Sequence, residues 1–312
     1  MDWVVAVGLL VGAAVLLAVG AELFAEHAGA AGRRLGVSGL GVGLLLAGAE
    51  PEELVTAVLA ALRDQPGIAA GDAIGANVTL LTLITGSLAL ASPFDLGRRG
   101  ARYAAASLAA SAAAWGALLD GAVGRIEGAG LAVLYGLLVA AIWRSERGLP
   151  AIGELSEALE DSDDEAESRT RGLLLAMGGI AAMGVGGWLA VSGAERLVTL
   201  AGVGGSVVGL TVVALATTSE FVALIPASLR RGIPELAAAG IVGSVIYNAT
   251  ATLGIAALAR PLAAGGVTFS AAGAVGLVAV IGAIAWARGR IGRPTAAVLL
   301  AGYAAYTWLL WR

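Results

Sequence analysis

Apolar residues fill this chain in blocks of about twenty, separated by short breaks rich in arginine or turn residues. Reading from break to break predicts ten helices, at roughly 3–26, 37–62, 68–93, 102–119, 124–143, 171–194, 205–229, 235–259, 265–287 and 294–311. Each is long enough to cross a hydrocarbon core of about 30 Å. The first block lacks a basic leader and runs straight on into the next segment, so it is read as a mature span rather than a signal peptide. The predicted fold class is an all-α polytopic membrane protein.

Two stretches within this pattern are versions of each other. Leu35–Gly86 aligns with Val203–Gly254 at a constant offset of 168 without a gap. Gly36/Gly204, Ser38/Ser206, Glu52/Glu220, Arg63/Arg231, Pro66/Pro234, Gly75/Gly243 and Thr82/Thr250 all coincide. A repeat of this kind sets the architecture. One long polar break, with eight carboxylates between Glu154 and Glu167, separates five spans from five. An odd number of spans per half forces the second half to insert upside down. The expected organisation is a first repeat at 1–145, an acidic cytoplasmic loop at 146–170 and an inverted second repeat at 171–312. Inverted repeats are the architecture in which secondary transporters hold substrate near the bilayer midplane.

Arginine placement orients the chain. With both termini outside, the inner loops carry 14 of the 19 basic residues, all arginine; the positive-inside rule favours this arrangement in the cell membrane. Composition narrows the field further. The chain is 58% hydrophobic and 13% charged, against about 25% charged in soluble domains. It has no cysteine, which removes disulfides and thiol chemistry. No basic stripe suggests nucleic acid, and no nucleophile–base set or phosphate loop suggests an enzyme. No cofactor is expected, and a monomer is compatible with the pattern.

Candidate chemistry concentrates in the repeated stretches. Glu50, Glu52 and Glu53 lie mid-way along the second span, where an ionised carboxylate facing lipid costs on the order of 2.5–3.5 kcal/mol. No arginine lies at that depth, so they must line a polar cavity or hold cations. At 100° per residue Glu50 and Glu53 share a face and Glu52 points about 160° from Glu50. Pro51 removes the hydrogen bond to the Ala47 carbonyl and breaks the helix there, so either Glu52 or Glu53 can face the site. A freed carbonyl at Ala47 beside carboxylates suits a hard cation. The matching place in the seventh span reads Thr217-Thr218-Ser219-Glu220, again oxygen only. No His or Cys stands in either stretch, which argues against zinc or copper. In the partner spans Ser244 and Asn248 share one face and read as ligands; Asn77 and Thr79 are either ligands or interhelical hydrogen bonders. Asp72 is an entry-path carboxylate or a surface residue. Glu22, Glu26 and His27 read as a solvated helix end.

The motifs GAELFAEHAGAAGRRLGVS, GLTVVALATTSEF and GIVGSVIYNATATLG resemble the cation/calcium exchanger superfamily, in its prokaryotic sodium/calcium antiporter form. The resemblance spans essentially the whole chain and implies the sodium/calcium exchanger fold of two inverted five-helix repeats. It also implies Na⁺/Ca²⁺ exchange by alternating access, with the ions as cargo. Glu53 stands at the family's essential carboxylate, while Ala49 and Glu50 replace its Thr and Ser. In the second copy Thr217 and Thr218 keep the hydroxyl pair, Phe221 occupies the carboxylate position and Glu220 sits one residue early. Ala76 and Leu80 replace the family's Ser and Asn/Asp, which Ser244 and Asn248 retain. The expected ion ligands are therefore Glu50, Glu52, Glu53, the Ala47 carbonyl, Asn77, Thr217, Thr218, Glu220, Ser244 and Asn248. Two alternatives stay open. One is H⁺-coupled exchange of a divalent cation, since clustered carboxylates can share a proton. The other is a non-transporting membrane protein that kept the fold and lost the site.

Overall fold

A computed structural model describes residues 2–34, 50–95, 97–146, 169–231 and 234–312. Helix α1 (Asp2–Arg34) comes first. The acidic stretch then opens α2 (Pro51–Leu62), whose exit turn sets Asp64 at φ 62°, a left-handed conformation that Asp tolerates. Pro66 then starts α3, a helix of Pro66–Thr79 that continues through a π segment, Leu80–Ile84, into Thr85–Ala91. Helices α4 (Gly97–Ala117) and α5 (Arg125–Glu146) complete the first half. In the second half α6 is Arg169–Ala201. Helix α7 runs from Gly205–Val208 through a π segment, Gly209–Val213, and Ala214–Thr217 into a 3₁₀ turn at Thr218–Glu220, then resumes as Phe221–Arg231. Helix α8 joins Pro234–Tyr247, the π segment Asn248–Thr252 and Leu253–Ala259. Helices α9 (Thr268–Arg288) and α10 (Arg293–Leu310) close the chain. Seven of the helices formed by the described residues are long and apolar enough to cross a membrane.

The sequence repeat is a structural repeat. The three parts of α3 recur in α8 residue for residue at the 168 offset, π segments included. Four two-residue strands follow the same rule: β1 (Phe94–Asp95) pairs antiparallel with β4 (Arg290–Ile291), and β2 (Ala122–Val123) with β3 (Leu262–Ala263). By the offset β1 matches β3 and β2 matches β4, so both pairings join one copy to the other in equivalent ways.

Helices α3 and α8 are the most buried spans, whereas α1, α5, α6 and α9 leave most of their surface outward. Val4, Val11, Val15, Leu137, Leu174, Phe269 and Trp286 are among the large apolar side chains on that surface. In water this would be a fault; against lipid it is the expected solvent-facing composition. Helices α1 and α6 cross at glycines, where a Cβ on Gly179 would lie 2.6 Å from the Gly20 carbonyl oxygen. Small residues at such crossings let backbones approach and gain dispersion contacts where lipid offers no hydrophobic drive. The end of α2 is fastened to α6 by Arg63, which donates to Glu195 at 2.6 Å and to Ser192 at 2.8 Å.

Candidate cation site

The carboxylates sit at the start of α2 and at the 3₁₀ turn of α7. Glu50 is the N-cap of α2, at φ −106° and ψ 84°, and its carbonyl accepts the first helical bonds from the Glu53 and Leu54 amides at 3.1 and 3.2 Å. Proline at the first helical position needs no amide bond, so α2 starts cleanly at Pro51; residues 37–49 of the predicted span lie outside the described residues. Ala47 lies outside the described residues. In the second copy the helix breaks, without a proline. There Thr217 and Thr218 turn their hydroxyls back onto the Ala214 carbonyl, at 3.2 and 2.7 Å, which competes with the helical ladder just before the Thr218–Glu220 turn.

All three first-copy glutamates are buried, Glu53 completely. Glu50 lies within electrostatic reach of Glu53 and Glu220 first, and of Glu52 less strongly. Glu53 faces Glu50, Asp72 and the Asn248 amide, the last because α2 packs on the π segment of α8. The Tyr247 phenol lies within electrostatic reach of all three glutamates, Glu52 first, and its ring stacks edge-on against Tyr135 at 5.3 Å. The direct contact between Glu50 and Glu53 follows the helix geometry, in which those two share a face. Glu220 is half-buried in its turn. Glu50 and Glu53 meet side chain to side chain, and the Asn248 amide is the neutral group nearest Glu53. Arg63, the basic residue at the far end of α2, is 13 positions from Glu50, about 20 Å along a helix.

The neutral oxygens are arranged differently in the two copies. Thr217 shares its hydroxyl proton between Oδ1 of Asp72, at 3.0 Å, and its own helix. Ser244 donates to the Gly240 carbonyl at 3.1 Å. With their protons engaged, Thr217, Thr218 and Ser244 have lone pairs left to offer. Asn77 donates Nδ2 to the Val245 carbonyl at 3.1 Å. Val245 is its own counterpart at the 168 offset, so this bond joins the two copies where they meet, and Oδ1 of Asn77 stays without a partner. Thr252 donates to Oδ1 of Asn248 at 3.1 Å, so that the amide turns Nδ2 toward Glu53. A half-turn of that amide lets Thr252 accept instead and presents Oδ1 to the site. Thr79 is fully buried.

Three findings go beyond or against the sequence expectation. Asp72 is no surface residue: it is completely buried six positions into α3, bonded across to α7. Its signal was a carboxylate without an arginine one turn away in a predicted span. Thr56, one turn beyond Glu52, is also buried, with its hydroxyl unpartnered. Among the described residues, no three acidic, His or Cys side chains converge tightly enough to hold an ion by themselves. At the other end of the expectation, Glu22 is exposed and His27 bonds the Leu23 carbonyl of its own helix at 2.8 Å.

The model of the sodium/calcium exchanger protein family matches residues 5–144 and 171–312. The chain belongs to this exchanger family. Among relatives, it is 27% identical over 263 residues to the inner membrane protein YrbG of Escherichia coli, covering 80% of this chain and 78% of that one. It is also 27% identical over 247 residues to CaxA of Alkalimonas amylolytica, provisionally named an antiporter, across 77% and 76% of the two chains. Its fold matches that of the sodium-calcium exchanger NCX_Mj soaked with Na⁺ and Sr²⁺, with a TM-score of 0.62 and 23% identity over 97% of this chain and 98% of that one. The multi-pass, two-repeat fold is thus that of an exchanger.

Proposed function

We propose that the chain is a secondary-active antiporter that exchanges Na⁺ for Ca²⁺ by alternating access, with both termini outside. The observation that carries the reading is a pair of buried glutamates, Glu50 and Glu53, facing each other at the start of α2, with Glu220 and Asp72 within electrostatic reach. Such groups are expensive inside a membrane and are kept for function. Every neighbouring polar group is an oxygen or amide ligand, the set hard cations take. Family membership and the antiporter name of one relative support the same reading.

Glu53 and Glu220 carry the Ca²⁺ charge. Glu50, Glu52, Thr217, Thr218, Ser244, Asn248, the Asn77 oxygen and the Ala47 carbonyl complete Ca²⁺ and Na⁺ coordination. Because both cations draw on the same carboxylates, one excludes the other. A carboxylate cluster left bare cannot cross between access states cheaply, whereas a neutralised one can. That linkage makes exchange obligatory.

The test is ⁴⁵Ca²⁺ uptake into Na⁺-loaded proteoliposomes. Uptake should follow the outward Na⁺ gradient, and Glu53→Gln should reduce it to background. Uptake indifferent to Na⁺ but driven by a pH gradient alone would replace Na⁺ by H⁺ as the coupling ion, a reading that the Glu50–Glu53–Glu220 cluster also supports. Parent-like uptake by Glu53→Gln overturns both.

A further inference from the structure

The two copies supply oxygens unequally: Ser244 and Asn248 of α8 have Ala76 and Leu80 as their counterparts in α3. One turn before Ala76, on the same helix face, stands Asp72, whose own counterpart is Gly240. Asp72 is completely buried. Its Oδ1 is held by the Thr217 hydroxyl at 3.0 Å, while Oδ2 has no hydrogen-bond partner. The neighbouring Glu53 is equally buried and lies within electrostatic reach of Asp72.

We infer that Asp72 is a further cation ligand, forming with Glu53 and Thr217 an oxygen-only subsite for a divalent cation between α2, α3 and α7. This rests on the antiport reading and adds to it a residue and a place. Glu53 is shared with the Ca²⁺ pair proposed above, and Asp72 adds a carboxylate on its α3 side, the kind of oxygen ligand a hard divalent cation takes. Thr217 donates its proton to Asp72 and so keeps its lone pairs for the ion. Its location at the α7 break gives the subsite ligands from both repeats, so that occupancy ties one to the other. The glycine seam beside it fixes the geometry: Gly71 meets Gly209, with a virtual Cβ 3.0 Å from the Gly209 Cα. Asp72 thus returns, one turn along α3, the oxygen that Ala76 lacks.

The experiment measures Ca²⁺ half-saturation of Na⁺-driven flux, together with the Ca²⁺-induced rise in melting temperature of the full chain in detergent. Asp72→Asn retains an oxygen to accept from Thr217, so its ion-free melting temperature should stay near that of the parent. Its half-saturation should rise at least tenfold and its Ca²⁺-induced shift should shrink. Asp72→Glu keeps the charge but lengthens the arm, and should raise half-saturation severalfold; it decides the matter if Asp72→Asn does not fold. Parent-like half-saturation in these variants, with Glu53→Gln inactive, overturns the inference alone. Parent-like behaviour of Glu53→Gln as well overturns the antiport reading beneath it.

Discussion

The crossing of α3 over the π segment of α7 allows a sharp test, because Gly75 meets backbone there rather than side chain. A Cβ at Gly75 would lie 2.5 Å from the Leu210 carbonyl oxygen, 2.6 Å from its Cα and 2.7 Å from its carbonyl carbon. No rotamer change relieves such a contact. Against an optimal separation of about 3.5–4.0 Å, α7 must retreat by roughly 1 Å. Overpacking on this scale costs about 1–3 kcal/mol, which corresponds to roughly 2–4 °C of melting temperature per kcal/mol. Function should suffer more than stability. Thr217 lies seven residues beyond Leu210 on the displaced helix, and a misplacement of about 1 Å in a preorganised site can cost on the order of 100-fold. Gly75→Ala should therefore melt several degrees lower in detergent and lose most Ca²⁺ flux in proteoliposomes. Gly136→Ala is the control, since nothing lies within 4 Å of its virtual Cβ. If Gly75→Ala melts and transports like Gly136→Ala, the close packing of α3 on α7 is wrong, and with it the placement of Asp72 against Thr217.

Two further outcomes follow from the contacts between copies. Asn77→Leu removes the bond from Nδ2 to the Val245 carbonyl and should lower stability by about 0.6–1.7 kcal/mol, the range of interhelical hydrogen bonds in membranes; equilibrium unfolding in mixed micelles measures it, and an unchanged value refutes a tie at the junction of the repeats. Arg63→Ala loses the partly exposed ion pair to Glu195 and should cost no more than about 1 kcal/mol, with a double-mutant cycle against Glu195→Ala returning a small coupling and flux left near the parent level.

The sequence by itself determined the outline. Apolar blocks of membrane length can only become helices, because lipid cannot satisfy an open backbone, and the 168-residue register carries the repeat down to matching π segments. Pro51 announced the start of α2, since its ring forbids continuation from before it, and three glutamates without an arginine marked a buried site. The tertiary structure decided what one-dimensional spacing leaves open. The break in α7 has no proline; it accompanies Thr217 and Thr218 bonding back onto Ala214, a choice that hydroxyls in a helix need not make. Asp72 could have faced water or the interior, and only the packing of α3 on α7 put it against Thr217 and beside Glu53. The carboxylates at the start of α2 are buried beside a fourth that sits on another helix. Periodicity assigns a residue to a face of its own helix; which helix that face meets is settled by backbones close enough to touch, here at Gly71, Gly75 and Gly209.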